Sequence, residues 1–173
     1  MNALDTQRIW QGRIIGLRVD EIDGVRGHAR RTIEVVEHPG GAAVIARPSP
    51  QQIVLVRQYR HPVGEELWEV PAGKIDRGEP PLETAQRELF EETGYRAERL
   101  RFLWSMYSTP GFCSERIHFF VAEGLTPGQA RPEDDEQFEV RTWSIEEAWR
   151  LVEADEVRDS KTQIALAWAR TQQ

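Results

Sequence analysis

The chain has 173 residues, 39% of them hydrophobic and six of them Trp, with a formal net charge of −7. That length suits one domain of ordinary size, or one domain with a small appendage, and the apolar content is enough for a packed core. The acidic balance excludes a broad non-specific nucleic-acid surface, which needs a basic stripe, yet leaves room for a small anionic substrate held by a few local cations. Of the 22 basic residues only Lys74 and Lys161 are lysines; the rest are Arg, suited to planar pairing with carboxylate or phosphate. Cys113 stands alone, so an intrachain disulfide is ruled out. The start, MNALDTQRIW, lacks a basic segment followed by an apolar run, and the longest aliphatic runs, such as IVLV at 53–56, are too short to span a bilayer. A cytoplasmic protein with no membrane partner is the expectation.

In chain order, residues 8–36 are rich in β-branched residues and split by Asp23-Gly24 and Gly27, which reads as strands joined by turns. Pro39-Gly40-Gly41 marks a hinge, so residues 1–38 are expected to form a separate β element and residues 39–173 the main domain. Strands are expected at 41–47, 52–59, 100–107, 116–123 and 138–143. The first of three helices runs from Pro81 to Thr93, with Pro81 in its first turn and Gly94 at the left-handed position beyond its end. The second follows Ser144, whose spacing to Glu147 is a capping box; the third follows Asp159-Ser160, with Ser160 and Gln163 repeating that pattern. Strands outnumber helices without regular alternation, which predicts an α+β arrangement, a mixed sheet covered by helices, rather than a doubly wound fold.

The first helix carries RELFEETG at 87–94. On a helical wheel Leu82, Ala85 and Leu89 form the apolar stripe. Glu88 and Glu92 lie side by side at its rim, while Arg87 faces Glu91 at i+4. Like charges at i, i+4 destabilise a helix by roughly 0.2–0.5 kcal/mol. A hard divalent cation turns that repulsion into binding, because Mg²⁺ favours one or two carboxylates together with substrate phosphate and water. A solvated acidic face is the plainer alternative.

The context favours the metal. GKIDRGEPPLETAQRELFEETGY, residues 73–95, resembles the Nudix box at every specified position: Gly73, Glu79, Arg87, Glu88, Leu89, Glu91, Glu92, Gly94 and the hydrophobic Tyr95, bulkier than usual. The resemblance implies the Nudix fold, a mixed β-sheet sandwiched between helices and here preceded by an N-terminal β subdomain. It implies hydrolysis of a diphosphate linked to another group, with Mg²⁺ as cofactor and Mn²⁺ able to substitute. Glu88 and Glu92 would be metal ligands joined by Glu91, the Ala72 carbonyl would be a further ligand, and Glu79 would act from behind them.

YSTPGFCSER at 107–116, LVRQYRHPVGEELWEVPAGKID at 55–76 and DSKTQIALAW at 159–168 look like the ADP-ribose pyrophosphatase subfamily. That resemblance implies cleavage of ADP-ribose to AMP and ribose 5-phosphate in a homodimer in which the N-terminal β element of one subunit reaches the other's active site, with Arg60 and, from that element of the same or the other subunit, Arg31 on substrate phosphates and Glu115 on the ribose side. The acidic run in PEDDEQFEV, 132–140, looks like the loop that delivers a carboxylate to the catalytic water; Glu136 is the first choice and Asp134 the second. Glu136, Glu91 and Arg87 thus make up the implied catalytic group. The alternatives are hydrolysis of other nucleoside diphosphate sugars, or a nucleotide-sensing module without turnover.

Overall fold

The computed structural model describes residues 3–24, 29–130 and 139–172. Runs of Val, Ile and aromatic residues bounded by Gly, Pro and Asp form strands here, as their preference for a pleated, half-buried surface dictates. The chain divides into two compact units, Met1–Gly40 with Ser105–Ile117, and Gly41–Trp104 with His118–Gln173.

In the first unit β1 (Asp5–Gln11), β2 (Gly16–Ile22) and β3 (Arg31–Glu37) form an antiparallel meander in that order. Its register sets Arg18 beside Asp20 and Glu37, and the guanidinium bonds to both carboxylates, at 3.1 and 2.6 Å. The turn at 109–115 is tied to β3 by backbone: Val36 N–H donates to Phe112 O at 2.8 Å, and Ser114 N–H to Val36 O at 2.9 Å. Cys113 lies in this turn, half-buried and unbridged.

The second unit holds two sheets and three helices. One sheet has the order β7 (Ala72–Lys74), β4 (Gly41–Ala46), β9 (Arg116–Thr126), β8 (Arg96–Tyr107). The other has β5 (Gln52–Arg60) between β10 (Glu139–Ser144) and β6 (Glu65–Glu69), both pairs antiparallel. β4 is buried along its whole length, as the unbroken run GAAVIA requires. Against it pack Ala85 and Leu89 of α1 (Pro81–Thr93), with Val54, Phe120 and Ala122 completing one core cluster. α2 (Ile145–Glu153) and α3 (Ser160–Arg170) pack on each other. The elements make an α+β architecture.

Three local expectations need correction. Leu82 is 42% exposed and not part of the buried stripe of α1. The buried residues are Thr84, Ala85, Glu88, Leu89 and Glu92, so the two carboxylates lie within the buried face and not at its rim. The cause is β7: its Ala-Gly pair lies against α1 and is too small to fill the space, which leaves room for carboxylates. At α3 the cap is Asp159, not Ser160; its Oδ2 accepts from Thr162 N–H at 2.9 Å. Ser144 does form the expected capping box with Glu147. Finally β6 and β7 were not expected at all, since EELWE is half acidic and AGK carries no strand signal.

Candidate active site

The site is built where α1 meets β7. Gly94 ends the helix in the left-handed conformation, φ 75°, and its N–H closes the last turn on Phe90 O. With the helix so placed, Glu92 reaches back to the strand, where its Oε2 accepts the Ala72 N–H at 3.0 Å. The Ala72 peptide and the Glu92 carboxylate are therefore held together. One residue on, a Cβ added to Gly73 would lie 1.9 Å from Glu88 Oε1 and 2.1 Å from its Cδ. The Glu88 carboxyl occupies the space that any side chain at 73 would take.

Arg87 organises the rest. Its Nε and Nη2 hold both oxygens of Glu79 at 3.1 Å, its Nη1 donates to Glu88 Oε1 at 2.8 Å and to Glu91 Oε2 at 3.0 Å, and its Nη2 also reaches Lys74 O at 3.3 Å. A single guanidinium thus gathers three carboxylates and anchors them to β7. Glu79 also accepts from Thr84 Oγ1 at 2.7 Å and from Asp76 N–H at 3.3 Å. Hydrogen bonds from Arg87, then Thr84 and the Asp76 backbone, overcome desolvation and hold its carboxyl at about 2, well below the ordinary 4.5. The Arg87 guanidinium is correspondingly more firmly protonated, chiefly through Glu79.

The donor set fits a hard divalent cation. Glu88 and Glu92 are buried carboxylates one helical turn apart, 9% and 4% exposed, and two like charges at that spacing are stabilised by a cation between them. Glu91 is half-buried beside them and the Ala72 backbone adjoins. Oxygen-rich and free of Cys or His, the set suits Mg²⁺ or Mn²⁺ over softer metals. Among the described residues no three acidic, His or Cys side chains are already placed so as to hold a metal ion together. Glu133, Asp134, Asp135 and Glu136 lie outside the described residues.

Arg60, at the end of β5, is not a loose cation. Its Nε and Nη2 form a fork on the fully buried Glu69, at 2.7 and 2.8 Å. Glu92 adds to the field that stabilises its charge. In the first unit Arg31 is exposed at the start of β3, opposite Ile22. Glu115 Oε1 lies 3.5 Å from His38 Nδ1. The structure thus unites Ala72, Glu79, Arg87, Glu88, Glu91 and Glu92 in one cluster. Arg60 stands in a second network with Glu69 and Lys161 of the same unit.

Glu69 and Lys161 had no role in the sequence reading. Their signals were present but faint: the last of three acids in EELWE, next to a Trp and ahead of Val70, and one of only two lysines.

Known proteins resemble the chain in sequence and in fold. The NUDIX domain model matches residues 37–166, and the chain belongs to that family. A methanol dehydrogenase activator of Bacillus methanolicus is 39% identical over 99% of this chain and 93% of its own length. An ADP-ribose pyrophosphatase of Bacillus subtilis is 40% identical over 94% of this chain and 88% of its own. A solved structure described as an ADP compounds hydrolase superposes with a TM-score of 0.84 at 23% identity, covering 98% of this chain and 92% of that one; at that identity it speaks for the fold.

Proposed function

We propose that the protein hydrolyses the diphosphate of ADP-ribose, releasing AMP and ribose 5-phosphate, with Mg²⁺ as the working ion and Mn²⁺ able to replace it. The observation that carries this reading is the Arg87 guanidinium holding Glu79, Glu88 and Glu91 together, with Glu92 on the Ala72 N–H beside them. The relative named as an ADP-ribose pyrophosphatase supports the substrate.

Each group has a task. Glu88 and Glu92, with Glu91 and the Ala72 carbonyl, would hold the divalent ion. When bound, it offsets the charge of the diphosphate and makes a bound water more acidic. Arg87 aims the Glu88 and Glu91 carboxylates, and Glu79 fixes Arg87. Arg60, and Arg31 from the β1–β3 element, neutralise the substrate phosphates by charge-assisted hydrogen bonds. Glu115 takes the ribose side. Glu136 accepts the proton of the attacking water, with Asp134 the next choice. The functional form is a homodimer built through the N-terminal β element; a fully active monomer in light scattering would contradict that part.

Other nucleoside diphosphate sugars are the second substrate class. A sensing module without turnover is less consistent with a box in which every carboxylate is retained and held in order. The test compares kcat/KM for ADP-ribose against a panel of nucleoside diphosphate derivatives, with and without Mg²⁺. Glu92→Gln keeps size, helix propensity and an acceptor for Ala72 N–H. It should lower kcat at least about 100-fold, some 2.7 kcal/mol of barrier. Near-normal turnover of that variant at saturating Mg²⁺ would remove Glu92 from the metal site.

A further inference from the structure

Arg60 presents a puzzle. A guanidinium paired bidentately with a carboxylate is a neutral unit, and a neutral unit attracts phosphate weakly. Glu69, its partner, is 1% exposed, and both of its oxygens are taken by Arg60.

The answer lies in the DSKTQ stretch. Lys161, in the first turn of α3, reaches the same carboxylate: its Nζ donates to Glu69 Oε2 and, at 3.0 Å, to Asp159 Oδ1. Lys161 is nearly buried, its side chain 14% exposed. Asp159 in turn caps α3, its Oδ2 accepting from Thr162 N–H at 2.9 Å and Thr162 Oγ1 at 2.6 Å. Thr162 Oγ1 accepts the Val70 N–H at 2.8 Å, which locks the helix to the chain immediately after Glu69. Burial disfavours the Lys161 charge, but Glu69 and Asp159 outweigh it and the ammonium is held more firmly protonated than usual. For Glu69, burial works against the charge, and Arg60 and Lys161 overcome it.

Counting charge shows what Lys161 does. Arg60 and Lys161 carry two positive charges, Glu69 and Asp159 two negative ones. The α3 N-terminus adds roughly half a positive charge, so these four side chains and the helix end are slightly positive, with the Glu92 charge, which also acts on Arg60, counted to the metal site. Without Lys161 the sum would be about half a unit negative, a cluster that repels phosphate. Nη1 of Arg60 has no hydrogen-bond partner among the described residues, and the Arg60 side chain is 39% exposed.

We propose that Lys161 is a positioning residue for the substrate diphosphate, acting through Arg60: by sharing Glu69, it keeps the Arg60 charge available to a phosphate oxygen. This rests on the reading of Arg60 as a phosphate contact. The expected effect falls on binding, because a phosphate contact made alike in the ground and transition states alters KM with little change in kcat.

The test is steady-state hydrolysis of ADP-ribose with Mg²⁺ by four variants. Arg60→Gln should raise KM at least about tenfold. Lys161→Met, which keeps the length and apolar stem, should raise KM by about tenfold with kcat within about twofold. Glu69→Gln should not raise KM, since it frees the Arg60 charge. The double variant Glu69→Gln/Lys161→Met removes one charge of each sign, and its KM should return to within about threefold of the wild type. A Lys161 that merely holds the fold together predicts the reverse, a double variant as poor as the single one or worse. That result would overturn the proposal, and it can be read even if Lys161→Met alone does not fold. If Arg60→Gln leaves KM unchanged, the phosphate contact itself is wrong and the proposal falls with it. If Arg60→Gln raises KM and Lys161→Met does not, only the role of Lys161 is refuted.

Discussion

Gly73 shows how much a single residue decides. It needs no unusual backbone angle; what it supplies is the missing Cβ, because the Glu88 carboxyl fills that space. Gly73→Ala should leave the fold intact, since the carboxyl is the far end of a flexible side chain and can swing away. It should weaken metal affinity at least about tenfold, as displaced ligands do, with a normal melting curve in EDTA. Unchanged Mg²⁺ dependence of turnover would show that Glu88 does not hold the ion. Glu79 offers a second residue-scale test, through pH. Its carboxyl is held at about 2 in the folded chain against an ordinary 4.5. The unfolded chain therefore binds the proton first, and stability rises with pH across that interval. The contribution is fully present above about pH 4.5 and is lost as pH falls toward 2. In metal-free urea melts, the stability advantage of wild type over Glu79→Gln should be constant near neutrality and shrink across that window. A difference that is flat down to pH 2 would contradict the Arg87–Glu79 pairing. The identities of these residues were legible in the sequence, because the spacing of the box is local. The depth of Glu88 and Glu92 was not, since it depends on how small β7 is, a contact made across a turn.

Among elements, the two capped helices differ in what their caps touch. Ser144 caps α2 on the surface through its box with Glu147. Asp159 caps α3 and also holds Lys161, while Thr162 ties that helix to Val70. Ser144→Ala should cost about 1 kcal/mol, the usual loss of a cap. Asp159→Ala should cost more, about 2–4 kcal/mol, because it also strips a partner from a buried lysine. Chemical denaturation of the two variants checks the order, and equal losses would show that the α3 network adds nothing to stability. The α2 cap was readable because Ser-x-x-Glu is a contiguous signal. The α3 cap was misplaced by one residue: Ser160 and Asp159 are both good caps, and the choice is made by Val70 and Lys161, which local sequence does not reveal. β6 was missed for a related reason. Its Glu69 reads as a surface acid until Arg60 and Lys161 are seen to neutralise it from β5 and α3.

At the scale of the whole molecule, an acidic protein is set to take an acidic substrate. The charge balance of −7 works against a diphosphate, so local arrangement has to supply the attraction. On the proposed reading the carboxylates of α1 would do so through a divalent ion, and Arg60, backed by Lys161, would do so directly. The α+β class and the Nudix box could be read from strand-rich segments and a 23-residue pattern. The compact unit that joins β1–β3 to Ser105–Ile117 depends on backbone pairing between Val36 and residues far along the chain, which no local pattern encodes. Product identification is the most direct test of the central claim. The purified protein is incubated with ADP-ribose and Mg²⁺, and the products are separated by ion exchange and followed by phosphorus NMR. The account predicts AMP and ribose 5-phosphate in equal amounts, with formation stopped by EDTA and restored by excess Mg²⁺. Calorimetric binding of ADP-ribose with the diphosphate left intact in the presence of Mg²⁺ would contradict it.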